Sequence, residues 1–305
     1  MSGVLQGFGV IGILIALGLL LAHVGVLGED SQRALSRLVY FVATPALLID
    51  LLSRTDVSEV LGAGFAIAAL SVLAVVAVYV PLARRRGRSA SHVTVGALSA
   101  SYANGGHLGL PIAVYVLGNA AFALPIMVLQ LIVYAPIALS VLELDASGRR
   151  PTLLGLVGAG ARNPVTIGAA LGVVLSLARV DLPEVVAEPV SLLGGIAVPG
   201  ALLAFGISLR LGGRIGSAQR AEVAWIAVLK LVGQPAVAYL LARFAFGLDD
   251  HEVFGVTVMA SLPTAQNVFV YASRFGRSEL LARDCTAVTT LLSVPVLVGL
   301  AAVLA

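Results

Sequence analysis

Residues 101–118 read SYANGGHLGLPIAVYVLG, and residues 259–276 read MASLPTAQNVFVYASRFG. Each stretch lies inside a long apolar run, and each carries Gly, Pro and Asn where a plain membrane helix would carry Leu. Pro removes a backbone donor and clashes with the preceding turn. Gly105, Gly106 and Gly109 lower helix stability further. Lipid cannot satisfy the freed backbone groups, so helices broken in this way belong in a protein interior or beside a polar cavity. A half-helix that starts at mid-membrane presents unpaired N–H groups and the positive end of its dipole, which suits a carboxylate. Asn104, Gln266 and Asn267 can donate and accept hydrogen bonds beside it. Gly105, His107, Pro111, Pro263 and Thr264 complete the candidate substrate site. The plain alternative is that Pro and Gly merely kink or pack these helices. Asn at both breaks favours a binding site.

Composition sets the solvent. Hydrophobic residues make up 59% of the 305 positions and charged residues 11%, against about 45–50% and 25% in soluble domains. No soluble fold of this size hides so much apolar surface, so the expected surroundings are a lipid bilayer. The net charge of +3 points to no nucleic acid partner. The single cysteine, Cys285, excludes an internal disulfide and a Cys-based metal site. Residues 1–7 carry no positive charge, so the first apolar run is expected to be a retained helix and not a cleaved signal.

With charges and turn residues read as breaks, ten spans of about 20 residues emerge. They cover residues 5–27, 34–53, 58–82, 92–117, 120–143, 163–180, 186–209, 222–246, 252–273 and 279–304. Fifteen of the 19 Lys and Arg residues fall in the odd-numbered loops and only Arg54, Arg179 and Arg243 in the even ones. Positive loops stay in the cytoplasm, so both termini are expected outside. Landmarks recur in order at nearly constant offset: Ile11 with Ile167, Pro45 with Pro199, Gly118 with Gly276, Pro136 with Pro295. Two five-span repeats follow, residues 1–150 and 151–305. Five is odd, so the second repeat enters the membrane in the opposite sense. Inverted repeats of this kind are a recurring architecture of secondary transporters, with substrate near the midplane.

The strings NGGHLGLP followed by YVLG, then NPVTIGAALG, then LPTAQNVFVYASRFG ahead of TTLLSVPVL, resemble the auxin efflux carrier family. That family includes the plant PIN-formed carriers and bacterial permeases for malate and malonate, within the bile acid:sodium symporter-like superfamily. The resemblance implies an all-α membrane protein of ten transmembrane helices in two inverted repeats of five, with helices 4 and 9 broken and crossing at mid-membrane. It implies a scaffold of helices 1, 2, 6 and 7, a transport part of helices 3–5 and 8–10, an elevator-like movement and a homodimer formed through the scaffold. Pro111 and Pro263 would be the crossover prolines, with Asn104 and Asn267 beside the substrate. The chain lacks the long cytoplasmic loop of the long plant carriers, and His107 stands where an aromatic or apolar residue is expected. Auxin specificity therefore does not transfer, and a small organic anion is the expected substrate.

Ionisable residues inside a bilayer are functional candidates. Lys230, with Gln234 one turn away, could replace a coupling cation, balance substrate charge, form an ion pair or snorkel. His107 could couple transport to protons or pack through a hydrogen bond. Asp50 fits the solvated outer end of its span. Asp284, with Thr286, Thr289 and Thr290, could hold Na+ or cap and bridge helices. The expected activity is secondary transport of a small carboxylate across a prokaryotic inner (plasma) membrane, with no cofactor or resident metal and with Na+ or H+ coupling left open. The rivals are a sodium- or proton-coupled symporter of the bile-acid type, an intramembrane enzyme and a passive channel. No HExxH motif or pair of mid-span aspartates supports the enzyme.

Overall fold

A computed structural model describes residues 2–54, 62–109, 112–113, 116–148, 162–211 and 217–304. Among the described residues the regular structure is helical, with one isolated β-bridge. The helices are α1 Ser2–His23, α2 Glu29–Ser53, α3 Ala63–Arg85, α4 Ala90–Ser101, α5 Ala121–Ala146, α6 Pro164–Ala178, α7 Glu184–Leu211, α8 Gln219–Ala245, α9 Asp250–Ala260, α10 Gln266–Phe275 and α11 Glu279–Leu304. Six of them (α2, α3, α5, α7, α8 and α11) are long and apolar enough to cross a membrane. The Gly12–His23 part of α1, and α6, are shorter apolar helices. The chain is thus a multi-pass integral membrane protein.

Local chemistry fixes several ends. Asn163 Oδ1 accepts from the Val165 and Thr166 amides ahead of Pro164, so an N-cap and an N1 proline start α6 together. Its Nδ2 also donates to Tyr40 Oη at 2.6 Å, which ties that start to α2. Asp249 and Glu252 form a capping box on α9. Helix α10 ends where Gly276 takes a left-handed φ of 61°. Wide π turns at Val39–Ala43, Leu129–Tyr134 and Leu229–Gly233 each precede a proline, Pro45, Pro136 or Pro235. A proline cannot donate to the turn before it, and the widened turn absorbs the defect.

Most helix bounds lie within a few residues of those expected. The exceptions are instructive. Helix α2 begins five residues early, at Glu29, because its polar first turns belong to the helix; Gln32 and Ser36 are buried there. Residues 92–117 do not form one helix, since α4 stops at Ser101 and a π turn at Gly105–Gly109 follows. Residues 252–273 split into α9 and α10.

Close packing relies on small residues. A Cβ on Gly18 would lie 2.4 Å from the Leu203 carbonyl oxygen, and one on Gly206 would lie 2.2 Å from that of Ile15, so α1 and α7 touch backbone to backbone. Gly168 and Gly172 of α6 meet Pro45 and Leu48 of α2 in the same way. Helices α1, α2, α6 and α7 thereby form one packed group. Helices α3, α4, α5, α8, α9 and α11 pack chiefly on one another, and α10 touches both groups. The core is apolar, and the outer faces of the helices are apolar as well. Ile13, Leu20, Val174, Leu177 and Leu192 are exposed on α1, α6 and α7, while Asn104, Gln130, Lys230, Gln266 and Asp284 are buried.

Candidate functional site

The chain on either side of two helix ends meets at the centre of the second group. Beyond α4 the chain is extended at Tyr102 and turns at Asn104, where the Gly105 amide donates to the Ala103 carbonyl at 2.9 Å. Beyond α9, residues 263–265 lie alongside. Ala103 and Thr264 form an antiparallel bridge, with the Asn104 amide donating to the Pro263 carbonyl at 2.8 Å and the Ala265 amide to the Tyr102 carbonyl at 3.1 Å. The two segments thus satisfy each other's backbone groups where lipid could not. The Thr264 hydroxyl donates to the Ser99 carbonyl at 2.6 Å, and the Thr264 amide donates to Thr289 Oγ1 at 3.1 Å, so α4 and α11 hold the crossing.

The amide side chains converge here. Asn104 Nδ2 donates to Gln266 Oε1 at 3.0 Å, with both residues buried. Gln266 Nε2 is buried without a protein partner. As the first residues of α10, Gln266 and Asn267 also present backbone amides that no preceding turn can accept from. Asn267 is partly exposed and Gly106 exposed, so this end of the crossing opens to accessible space. A Cβ on Gly105 would come 2.9 Å from Met127 Cγ and 3.9 Å from Gln130 Nε2, which brings α5 against the crossing. Gln130 was not apparent from the sequence. Its Nε2 donates to the Ile126 carbonyl, and its Oε1 is buried without a partner. No local pattern marks it in the sequence, and the π turn that carries it shows only in the structure. Of the remaining expected site residues, Pro263 and Thr264 lie in the crossing. For His107 only the backbone is described, and Pro111 lies outside the described residues.

Lys230 is fully buried, which rules out snorkelling. Its Nζ donates to Gln234 Oε1 at 2.7 Å and to the Ala260 carbonyl at 2.8 Å, the last residue of α9. Asp284 does not join Thr289 around a common centre. Its Oδ1 accepts from Arg283 Nε at 2.7 Å, while Thr289 Oγ1 donates to the Cys285 carbonyl and accepts from Thr264. Among the described residues no group of three or more His, Cys, Asp or Glu side chains could hold a metal ion. Asp50 pairs with Arg54 at 2.8 Å at the end of α2.

Two features flank the crossing. A cavity of about 860 Å³ lies between α3, α5, α8 and α9, running from Asn119 and His251 to Ser71, Met259 and Ala260. At the opposite end, Glu222 of α8 accepts from Tyr79 Oη at 2.9 Å and from Arg88 at 2.7 Å. His92 Nε2 lies 2.9 Å from the same carboxylate, and its Nδ1 lies 3.1 Å from Ser278 Oγ. This clamp ties α3, α4, α8 and the α10–α11 turn, and its charges are internally paired.

The profile of the family described as "Membrane transport protein" matches residues 10–150 and 154–300. A proposed malonate transporter of Rhizobium meliloti (strain 1021) is 29% identical over 296 residues, covering 94% of this chain and 91% of that protein. An uncharacterized transporter of Methanothermobacter thermautotrophicus (strain Delta H) is 28% identical over 303 residues, covering 92% of each. Auxin efflux carrier component 1 of Arabidopsis thaliana is 27% identical over 118 residues, 37% of this chain and 19% of that protein.

Proposed function

Because the chain belongs to the membrane transport protein family, whose members are transporters and not enzymes, we propose that it is a secondary carrier of a small organic anion whose carboxylate binds at the crossing of residues 102–104 and 263–265. The observation that carries this reading is the unpartnered Gln266 Nε2, beside the Asn104–Gln266 pair and the Gln266 and Asn267 amides that open α10. A carboxylate accepts several hydrogen bonds at once. Each one from a buried donor contributes about 1.5–3 kcal/mol. Malonate is the first substrate to test, since it names the Rhizobium meliloti relative.

In this reading the ten spans form two inverted repeats, residues 1–150 and 151–305, and α9 with α10 makes one broken crossing. Helices α1, α2, α6 and α7 are the static scaffold, supported by their close mutual packing, and the scaffold forms a homodimer. The remaining helices carry the site across the membrane in an elevator-like movement. Both termini face outward from a prokaryotic inner membrane, as the loop charges favour. The test is uptake of radiolabelled malonate, and of other mono- and dicarboxylates, by proteoliposomes. Saturable uptake is expected; no uptake of any small carboxylate would overturn the proposal.

A further inference from the structure

We propose that an anionic phospholipid docks in the notch between α2 and α10, its phosphate held by Arg37 and Arg274 and an acyl chain lying along Leu38, Phe41 and Val42. Arg274 lies eight residues along the chain from Gln266, about 12 Å in a helix, and the docking of a lipid there does not depend on the carrier function proposed above.

The exposed face of α2 changes character along its length. Arg33, Arg37 and Phe41 follow one another at intervals of four residues, as do Ala34, Leu38 and Val42, and all six are exposed. Residues four apart share a helix face, so the face runs from guanidinium groups to apolar side chains. Phe41 stands seven residues beyond Ala34, where the apolar run of α2 begins, and so about 10 Å further along the axis. By the loop charges this end of α2 meets the cytoplasmic leaflet, the one that carries anionic headgroups.

Arg274, in the last turn of α10, reaches this face. Its guanidinium carbon lies 4.8 Å from the Phe41 ring centroid, 5.5 Å from that of Phe275 and 5.7 Å from that of Tyr40. The rings hold the cation at a level where α2 is already apolar, while Arg274 itself stays exposed. The carboxylates at this end are directed elsewhere. Glu29 and Asp30 pair with Arg33, and Glu279 faces Ser273 and Arg33. Glu143 of α5 acts on Tyr40 but forms no ion pair with Arg274. Among the described residues neither Arg37 nor Arg274 is ion-paired with a carboxylate. A guanidinium presents a planar fork of N–H donors that matches two phosphate oxygens. A phospholipid brings that phosphate together with an acyl chain for Leu38, Phe41 and Val42, which a free phosphate would leave uncovered. Two cations facing one headgroup favour a net anionic lipid over a zwitterionic one, whose own ammonium they would repel.

The test is thermal unfolding of the purified full-length protein in a neutral detergent, titrated with dioleoyl phosphatidylglycerol or dioleoyl phosphatidylcholine. The wild type should melt about 4 °C or more higher with saturating phosphatidylglycerol, and less than about half of that shift should appear with phosphatidylcholine. Arg274→Gln and Arg37→Gln should each lose about half or more of the difference between the two lipids. Arg84→Gln, at another arginine-rich end, should keep it. A wild type that does not distinguish the lipids would overturn the proposal. So would either notch variant that keeps the full difference, the result expected if Arg274 serves only the dipole of α10. An equal loss in Arg84→Gln would show a diffuse charge effect and would overturn it too. Glycerol 1-phosphate and inorganic phosphate are titrated in parallel, and a matching shift with either would put a free phosphate in the notch and overturn the lipid. Among the described residues Arg37 stacks on no ring, so Arg37→Gln carries the test if Arg274→Gln does not fold.

Discussion

Thr289 Oγ1 accepts the Thr264 amide while donating to the Cys285 carbonyl, so one hydroxyl ties α11 to the segment after α9. Thr289→Val keeps the shape but orphans a buried N–H, at a cost of about 1–3 kcal/mol. The melting temperature should fall by several degrees, whereas Thr289→Ser should stay near wild type; equal melting of the two would show that the hydrogen bond is immaterial. Gln130 offers a second residue-scale test. If its Oε1 helps to orient the Asn104–Gln266 amides, Gln130→Ala should weaken anion binding by roughly tenfold, about 1.4 kcal/mol, with melting little changed. Asn104 and Gln266 were legible because each lies beside a proline or glycine break in an apolar run. Gln130 and Thr289 were less so, because their partners lie far away in the chain and their own helices read as ordinary spans. The sequence offered Asn104, Gln266 and Asn267 together as donors and acceptors; of these, Asn104 and Gln266 are bonded to each other, since at a helix start a shift of one position turns a side chain by a large angle about the axis.

At the scale of elements, the α1–α7 contact is the sharpest constraint. Gly206 has the Ile15 carbonyl oxygen 2.2 Å from where a Cβ would stand, and backbone cannot move aside as a flexible side chain can. Gly206→Val should therefore abolish a monodisperse folded peak in size exclusion. Gly195, on the same helix with nothing within 4 Å, should accept alanine and gain a little stability. Comparable behaviour of the two variants would contradict the packing described. The Glu222 clamp makes another prediction. Glu222→Ala leaves Tyr79, Arg88 and His92 without their shared acceptor, and melting should drop by more than for Glu222→Gln, which keeps one acceptor oxygen. Helix existence was legible from apolar run length. The early start of α2 was not, because its polar first turns are held by Gln32, which is buried and bonded to Ser273 of α10, a contact no local pattern encodes.

For the molecule as a whole, composition alone indicates a membrane protein, and the loop charges and ordered landmarks are what the proposed direction and symmetry rest on. Sidedness can be read by labelling with a membrane-impermeant thiol reagent. The native Cys285 is buried and should stay silent. Arg86→Cys should label only from the cytoplasmic side and Asp181→Cys only from outside; labelling of both from one side would contradict the orientation. Among the buried polar side chains, Asn104, Thr264 and Gln266 gather at the crossing of residues 102–104 and 263–265. The most direct test of the account is equilibrium binding of malonate to purified wild-type protein, Gln266→Ala and Asn104→Ala, each shown to be folded by its melting curve. The account predicts saturable binding by the wild type and a loss of about tenfold or more in each variant, the equivalent of one hydrogen bond to a charged group. Undiminished binding in both folded variants would contradict it.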